Sequence, residues 1–406
     1  MGEHAVQAAG RLGRQVAARG ARFGVGGGQP RSRVIVAVTA IVAILAGFGI
    51  YKLTSGGSTP PNAPLTSGAV TLPGPFRVMS VTPSGAQADG GQPVTVTFSA
   101  PLSAGSPMPA LTPDVKGGWR IVGDAAVFTP AMPFAPSTRV TVTIPSGVQS
   151  KAGHQLSAAK TAAFTTGTYS TLRLAELLGE LGYLPATWQL PDLGMNVASQ
   201  FDSTSTGLAA QETLAYSPPS GIFTWAQGYP ASLYDQWTPD HWNVILKGAV
   251  IAFQSEHNMN TDGSVSPALW SQLFKAVASG QNNVNGYTYA VADQNDPETL
   301  TIYHDGQVVL QSAANTGIPS APTANGTFPV YQKFLNTIMS GTNPDGSHYS
   351  DPVQYVSYFN GGDAVHYFAR GSYGFQQSLG CVELPYTAAQ EAYPILTYGS
   401  LVNVTG

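Results

Sequence analysis

Cys381 is the single cysteine of a 406-residue chain. It stands in Ser378-Leu379-Gly380-Cys381-Val382-Glu383-Leu384-Pro385, with His366 shortly upstream. A thiol that follows a glycine and has an imidazole within reach can be a nucleophile with its base. Free cysteine is also among the most buried residue types, an apolar filler with no chemistry to perform. The two residues alone do not separate these readings, so the decision falls to the elements that must position them.

Only 10% of the side chains are charged, against 46 glycines and 31 prolines. That balance suits β-rich modules joined by turns and argues against long helices or a coiled coil. The length allows about two to four domains. A net charge of −4 hides an asymmetry, since Arg11, Arg14, Arg19, Arg22, Arg31 and Arg33 crowd the first segment against one acid, Glu3. The remainder is mildly acidic and has no basic stripe interleaved with aromatics, which excludes a nucleic-acid partner.

The basic segment, residues 1–33, runs into the uncharged stretch VIVAVTAIVAILAGFGIY over residues 34–51. At about 1.5 Å per residue this makes roughly 27 Å of helix, close to the hydrocarbon thickness of a bilayer. Arginines ahead of it place the N-terminus in the cytoplasm and everything after Lys52 outside. Gly49-Ile50-Tyr51-Lys52-Leu53 lacks the small-residue pattern of a signal-peptide cleavage site, so the expectation is an uncleaved, single-pass anchor in the cell membrane. No cysteine follows to carry a lipid. An exported lone thiol meets an oxidising compartment without a disulfide partner, and its retention there favours the nucleophile reading.

Residues 52–75 are rich in Ser, Pro and Gly and read as a spacer. Over 76–168 the pattern turns to period two, as in Val94–Phe98, Ala125–Phe128 and Val140–Ile144, which predicts a β-sandwich. The phrases VTPSGAQ, VTVTFSAPL, VFTPAMPFAPSTRVTVTIPSGVQSKAGHQL and AAFTTG resemble the bacterial Ig-like domain. Residues 172–280 switch to helical spacing: Leu174, Leu177, Leu178 and Leu181 share one face, and further helices begin near Trp242 and Pro267. LAELLGELGYLP and KGAVIAFQSEHNMNTDGSVSPALWSQL resemble a small helical peptidoglycan-binding module, interrupted by an insertion over 186–240 capable of altering its ligand groove. His241 and His257 lie there at a spacing that fits no zinc motif, so no metal is expected.

Residues 285–406 return to strands, with a hairpin signal at His304-Asp305-Gly306-Gln307 and a closing strand at Leu401–Val404. Thr316-Gly317, Pro322-Thr323-Ala324-Asn325-Gly326-Thr327-Phe328, Gly361-Gly362-Asp363-Ala364-Val365-His366 and the cysteine phrase occur in the order of the L,D-transpeptidase catalytic domain (YkuD type), which this segment resembles. The resemblance implies Cys381 as nucleophile and His366 as the base that holds it as a thiolate. It also implies an oxyanion hole from the N–H groups of Leu379, Gly380 and Cys381. Ser378 is expected to steady the loop, and Glu383 and Tyr367 to contact substrate. Three residues depart from the family's habit: Leu379 replaces a usual His, Glu383 a usual Arg or Asn, and Tyr367 a small residue.

The expectation is a multidomain, mainly β protein with a transmembrane helix, an Ig-like β-sandwich, a helical peptidoglycan-binding-like module and a β-rich catalytic domain facing the cell wall. Its partners are peptidoglycan stem peptides and the membrane, with no cofactor. Cys381 would attack the amide between a diamino acid and terminal D-alanine, release D-alanine and form a thioester for a second stem's amine to resolve. The alternatives are a wall-binding scaffold without activity, or resolution by water or a free D-amino acid.

Overall fold

Alternating apolar side chains in short strands build the first domain of the computed structural model, which describes residues 74–189 and 204–406. The expected basic segment, the apolar helix over 34–51 and nearly all of the spacer lie outside the described residues. Among those described, no helix is long and apolar enough to cross a membrane.

The strands of the first domain are β1 (Val78–Thr82), β2 (Gly85–Ala88), β3 (Val94–Phe98), β4 (Ala110–Thr112), β5 (Gly117–Val122), β6 (Ala125–Pro130), β7 (Arg139–Ile144) and β8 (Lys160–Thr166). They form two sheets, ordered β1-β3-β6-β5 and β2-β8-β7-β4. Val94, Val96 and Phe98 of β3 and Val140, Val142 and Ile144 of β7 are buried in one cluster with Phe134 and Phe164. The predicted sandwich is present.

The middle segment holds α1 (Thr171–Glu180), β9 (Ala186–Gln189), α2 (Ser205–Tyr216), β10 (Ile222–Trp225), α3 (Ala231–Tyr234), α4 (Val244–Glu256) and α5 (Pro267–Ser279). Local chemistry sets the ends of the last two helices. Asn243 Oδ1 accepts from Leu246 N at 3.0 Å and Ser266 Oγ from Leu269 N at 3.1 Å. Pro267 takes the first turn of α5, and Gly280 ends it at φ +65. Leu174, Leu177, Leu178 and Leu181 are buried as their spacing predicts.

The described part of the insertion contributes aromatic side chains to the core. Phe223, Trp225, Tyr229, Leu233 and Trp237 pack into the same core as α1, α4 and α5, and that core also takes in Tyr287, Tyr289 and Leu401 of the next domain. Tyr229 donates its hydroxyl to Tyr287 O at 2.8 Å, and Ser232 Oγ meets Tyr289 Oη at 3.0 Å. The insertion's aromatics therefore join the helical segment to the C-terminal domain.

That domain comprises β11 (Thr288–Asp293), β12 (Thr299–His304), β13 (Gln307–Ala313), β14 (Gly326–Pro329), β15 (Gln332–Thr342), β16 (His348–Asn360), β17 (Asp363–Tyr367), β18 (Val382–Leu384), α6 (Tyr386–Ile395) and β19 (Leu401–Thr405). One sheet runs β13-β12-β11-β19-β14 and the other β15-β16-β17-β18. The β12–β13 turn has Asp305 at φ +46 and Gly306 at φ +77, the double left-handed geometry that tight hairpins require. The long β15–β16 hairpin, paired from Gln332↔Tyr358 to Thr342↔His348, was not anticipated. Exposure alternates toward its tip, but the sequence NTIMSGT does not alternate apolar with polar residues to announce it.

Candidate active site

Two short parallel strands bring the thiol and the imidazole together. β17 pairs with β18 as Val365↔Val382 and His366↔Glu383, so Cys381, one position ahead of β18, comes alongside Ala364. Cys381 Sγ lies 3.8 Å from Gly362 O. Cys381 and His366 line one cavity of about 520 Å³. Met339, Tyr349 and Tyr358 of the β15–β16 hairpin line it as well.

The loop before Cys381 is tied from within and from behind. Ser378 Oγ donates to Cys381 O at 2.6 Å and accepts from Gly380 N at 3.2 Å. Gly380 sits at φ +117, and a Cβ there would stand 2.4 Å from Asp363 Oδ1, so both the conformation and the space demand glycine. Behind the loop, Gln377 N and Ser378 N both donate to Thr316 O at 2.9 Å, and Ile318 N donates to Ser378 O at 2.9 Å. Thr316 is held by buried Glu298, through its N–H at 2.6 Å and its hydroxyl at 2.7 Å, while Thr323 Oγ1 accepts from Gly317 N at 2.8 Å. Thr316 and Gly317, steadied by Thr323, thus form the backing of the cysteine loop.

Residues 287–404 match the family model of the L,D-transpeptidase catalytic domain, and residues 73–166 that of the bacterial Ig-like domain. The C-terminal domain is an L,D-transpeptidase catalytic domain. The chain is similar to the L,D-transpeptidase from Mycobacterium smegmatis, at 16% identity over 82% of this chain and 100% of that one with a TM-score of 0.27. It is similar to L,D-transpeptidase 3 from Mycobacterium tuberculosis in complex with a faropenem-derived adduct, at 16% identity over 81% and 98% with a TM-score of 0.27. It is also similar to the catalytic domain of the E. faecium L,D-transpeptidase, at 30% identity over 29% of this chain and 95% of that one with a TM-score of 0.27. No curated protein matches.

Within this L,D-transpeptidase domain the electrostatics correct one expectation. His366 is 3% exposed, and burial holds its imidazole below the usual range, opposed by a bond between Nδ1 and Tyr367 O at 2.9 Å. Burial pushes the Cys381 thiol up to about 12, and the nearby Asp363 and Glu383 carboxylates push the same way. Both shifts favour a neutral thiol and a neutral imidazole over the thiolate expected from the sequence, because both charged forms lose hydration. With Nδ1–H donated to Tyr367 O, Nε2 is left as the proton acceptor.

Three further expectations change. Gly380 N–H is engaged by Ser378 Oγ at 3.2 Å, which leaves the Leu379 and Cys381 N–H groups as the candidates of the expected three for holding an oxyanion. Glu383 lines the cavity but is buried, and both its oxygens are taken by Arg370, from Nε at 2.8 Å and Nη2 at 2.7 Å, so its carboxylate is already engaged by a guanidinium. Tyr367 contributes its carbonyl to His366, while its ring packs on Tyr386 with centroids 5.1 Å apart and outside the cavity lining. Leu379 does line the cavity.

Arg370, Asp363 and the hairpin residues line the cavity without having been anticipated. Arg370 is the only base between the histidine and cysteine phrases, a signal that was available. The helical segment's histidines find local partners instead of each other: His241 Nδ1 contacts Asp240 at 2.7 Å, and His257 Nδ1 contacts Gln272 at 3.1 Å.

Proposed function

We propose that this chain is a membrane-anchored L,D-transpeptidase that cross-links peptidoglycan stem peptides through a thioester on Cys381. The observation that carries the reading is that the parallel pairing of β17 with β18 sets Cys381 and His366, two register positions apart, at the lining of one cavity, inside a domain of this family. The uncharged stretch over 34–51 supports the anchor, and the helical segment supports a wall-binding role.

The chemistry follows from the neutral resting pair. As a donor stem's amide carbonyl approaches, the thiol proton passes to His366 Nε2 while sulfur attacks the carbon. The Leu379 and Cys381 N–H groups stabilise the oxyanion that forms. His366 then gives its proton to the departing amine, D-alanine leaves, and a thioester remains. An amine from a second stem resolves it.

Incubation of the purified full-length protein with tetrapeptide muropeptides tests this. The expected outcome is D-alanine release together with an acyl adduct mapped to Cys381 by peptide mass spectrometry. Absence of both would leave a non-catalytic wall scaffold. The product masses separate cross-linking from hydrolysis and from D-amino-acid exchange.

A further inference from the structure

Charge in the cavity does not balance. Asp351, Asp363, Glu383 and Arg370 line it. Glu383 and Arg370 cancel through their two short bonds at 2.8 and 2.7 Å. Neither Asp351 nor Asp363 has an ion-pair partner among the described residues. His366 is neutral when buried and supplies no counter-charge. The wall beside the thiol therefore holds more carboxyl groups than cations.

Asp363 is the carboxylate nearest the chemistry. It lies between Gly362, whose carbonyl faces Cys381 Sγ at 3.8 Å, and Ala364, which comes alongside Cys381. Its Oδ2 accepts from Asn360 Nδ2 at 3.1 Å, which fixes the carboxyl. Its Oδ1 lies against Gly380, where an added Cβ would stand 2.4 Å away, and takes no hydrogen bond among the described residues. During thioester formation such a group can only hinder, since a negative charge beside the sulfur opposes the developing thiolate. Its benefit must fall at the other half of the reaction, where a cation has to approach the same sulfur.

We propose that Asp363 recognises the ammonium of the incoming acceptor, so that the site favours resolution by a primary alkylamine, such as a diamino-acid side chain, over resolution by water. This rests on the thioester reading above. The bound ammonium releases one proton to solvent, and its nitrogen forms the new amide bond to the acyl carbon as the carbon–sulfur bond breaks. The second nitrogen proton passes through His366 to the departing sulfur, which restores the thiol. A charge-assisted contact of this kind contributes enough to shift acceptor use by about tenfold.

The test compares full-length parent, Asp363→Asn and Asp363→Ser proteins, with Asp363→Glu as a charge-preserving variant. Acyl-enzyme made from a donor tetrapeptide is divided between Nα-acetyl-lysine amide, cationic at neutral pH, and hydroxylamine, which is neutral. The expected result is a fall of about tenfold in the lysine-to-hydroxylamine ratio for Asn and Ser, partial recovery for Glu, and faster acylation in the two neutral variants. An unchanged ratio overturns the proposal. A second arm needs no turnover: binding of Nα-acetyl-lysine amide against the uncharged Nα-acetyl-norleucine amide is followed by NMR chemical-shift titration. The parent should prefer the ammonium and Asp363→Asn should lose that preference. Equal affinities in the parent overturn the proposal even where no acyl-enzyme forms, whereas failure of acylation with the preference intact removes only the thioester reading.

Discussion

Arg370 closes Nε and Nη2 on the two oxygens of Glu383, at 2.8 and 2.7 Å, one strand away from the candidate base. Arg370 also lies over the Phe368 ring at 4.7 Å, and its Nη2 reaches Gln377 O at 3.2 Å. A buried acid two positions beyond the cysteine is thereby made compatible with a small, largely desolvated site. The pair also pins the loop between β17 and β18.

Breaking that pair should therefore cost stability. Removing one partner of a buried pair strands the other charge, but Arg370 keeps 28% of its side chain exposed, so the loss is discounted to about 2–3 kcal/mol for Arg370→Ala. Arg370→Lys should recover only part, because a point charge cannot reproduce the planar fork. Urea unfolding of Arg370→Met, Glu383→Gln and the double variant Arg370→Met/Glu383→Gln gives the coupling. Additive losses would mean the two side chains are energetically independent.

The raised thiol has a distinct pH signature. A free cysteine ionises near about 8.5 and the folded group near about 12, so the unfolded chain loses its proton first as pH rises. The contribution is complete below the unfolded value and is lost across that alkaline window. Iodoacetamide labelling of Cys381 should accelerate steadily above pH 8 with no plateau by pH 10. A plateau below pH 7 would instead reveal a resting thiolate–imidazolium pair.

Ser378→Ala removes the donor to Cys381 O at 2.6 Å and releases Gly380 N–H. The loop loses a bond worth about 1 kcal/mol, and acylation of Cys381 by a carbapenem, followed by intact mass, should slow by about tenfold. A rate equal to the parent's would show that the freed Gly380 N–H replaces what the loop lost.

Gly248 of α4 and Gly399 before β19 let the helical segment touch the transpeptidase domain backbone to backbone. A Cβ at 248 would stand 2.6 Å from Gly399 O and 2.8 Å from Leu401 Cδ2, while one at 399 would stand 2.2 Å from Gly248 O. Gly248→Val should destabilise the protein by about 1–3 kcal/mol through overpacking of this seam. Thermal unfolding followed by tryptophan fluorescence reads the change. An unaltered midpoint would mean that the two segments separate freely.

Much of this architecture was written in local patterns. Alternation in Val94–Phe98 and Val140–Ile144 marks the sandwich because strand side chains point to opposite faces in turn. Helical spacing after Trp242 and the proline at Pro267 mark the starts of α4 and α5, because proline suits the first turn of a helix, where its missing N–H costs no bond. Asp305-Gly306 marks the β12–β13 turn because both positions need positive φ. Such signals concern neighbours along the chain. The β15–β16 hairpin, half-exposed and poorly alternating, gave no comparable sign.

Cys381 with its phrase and His366 with its own were legible as a candidate pair by residue type alone. Long-range packing determined the rest. Parallel pairing of β17 with β18 set the two residues at one cavity, Arg370 engaged both oxygens of Glu383, and Ser378 occupied Gly380 N–H. Burial then shifts both groups toward their neutral forms, which no spacing encodes, since desolvation depends on everything packed around a group. The sequence by itself determined which atoms are available for chemistry, and the tertiary structure decided which of them face one another and with what charge.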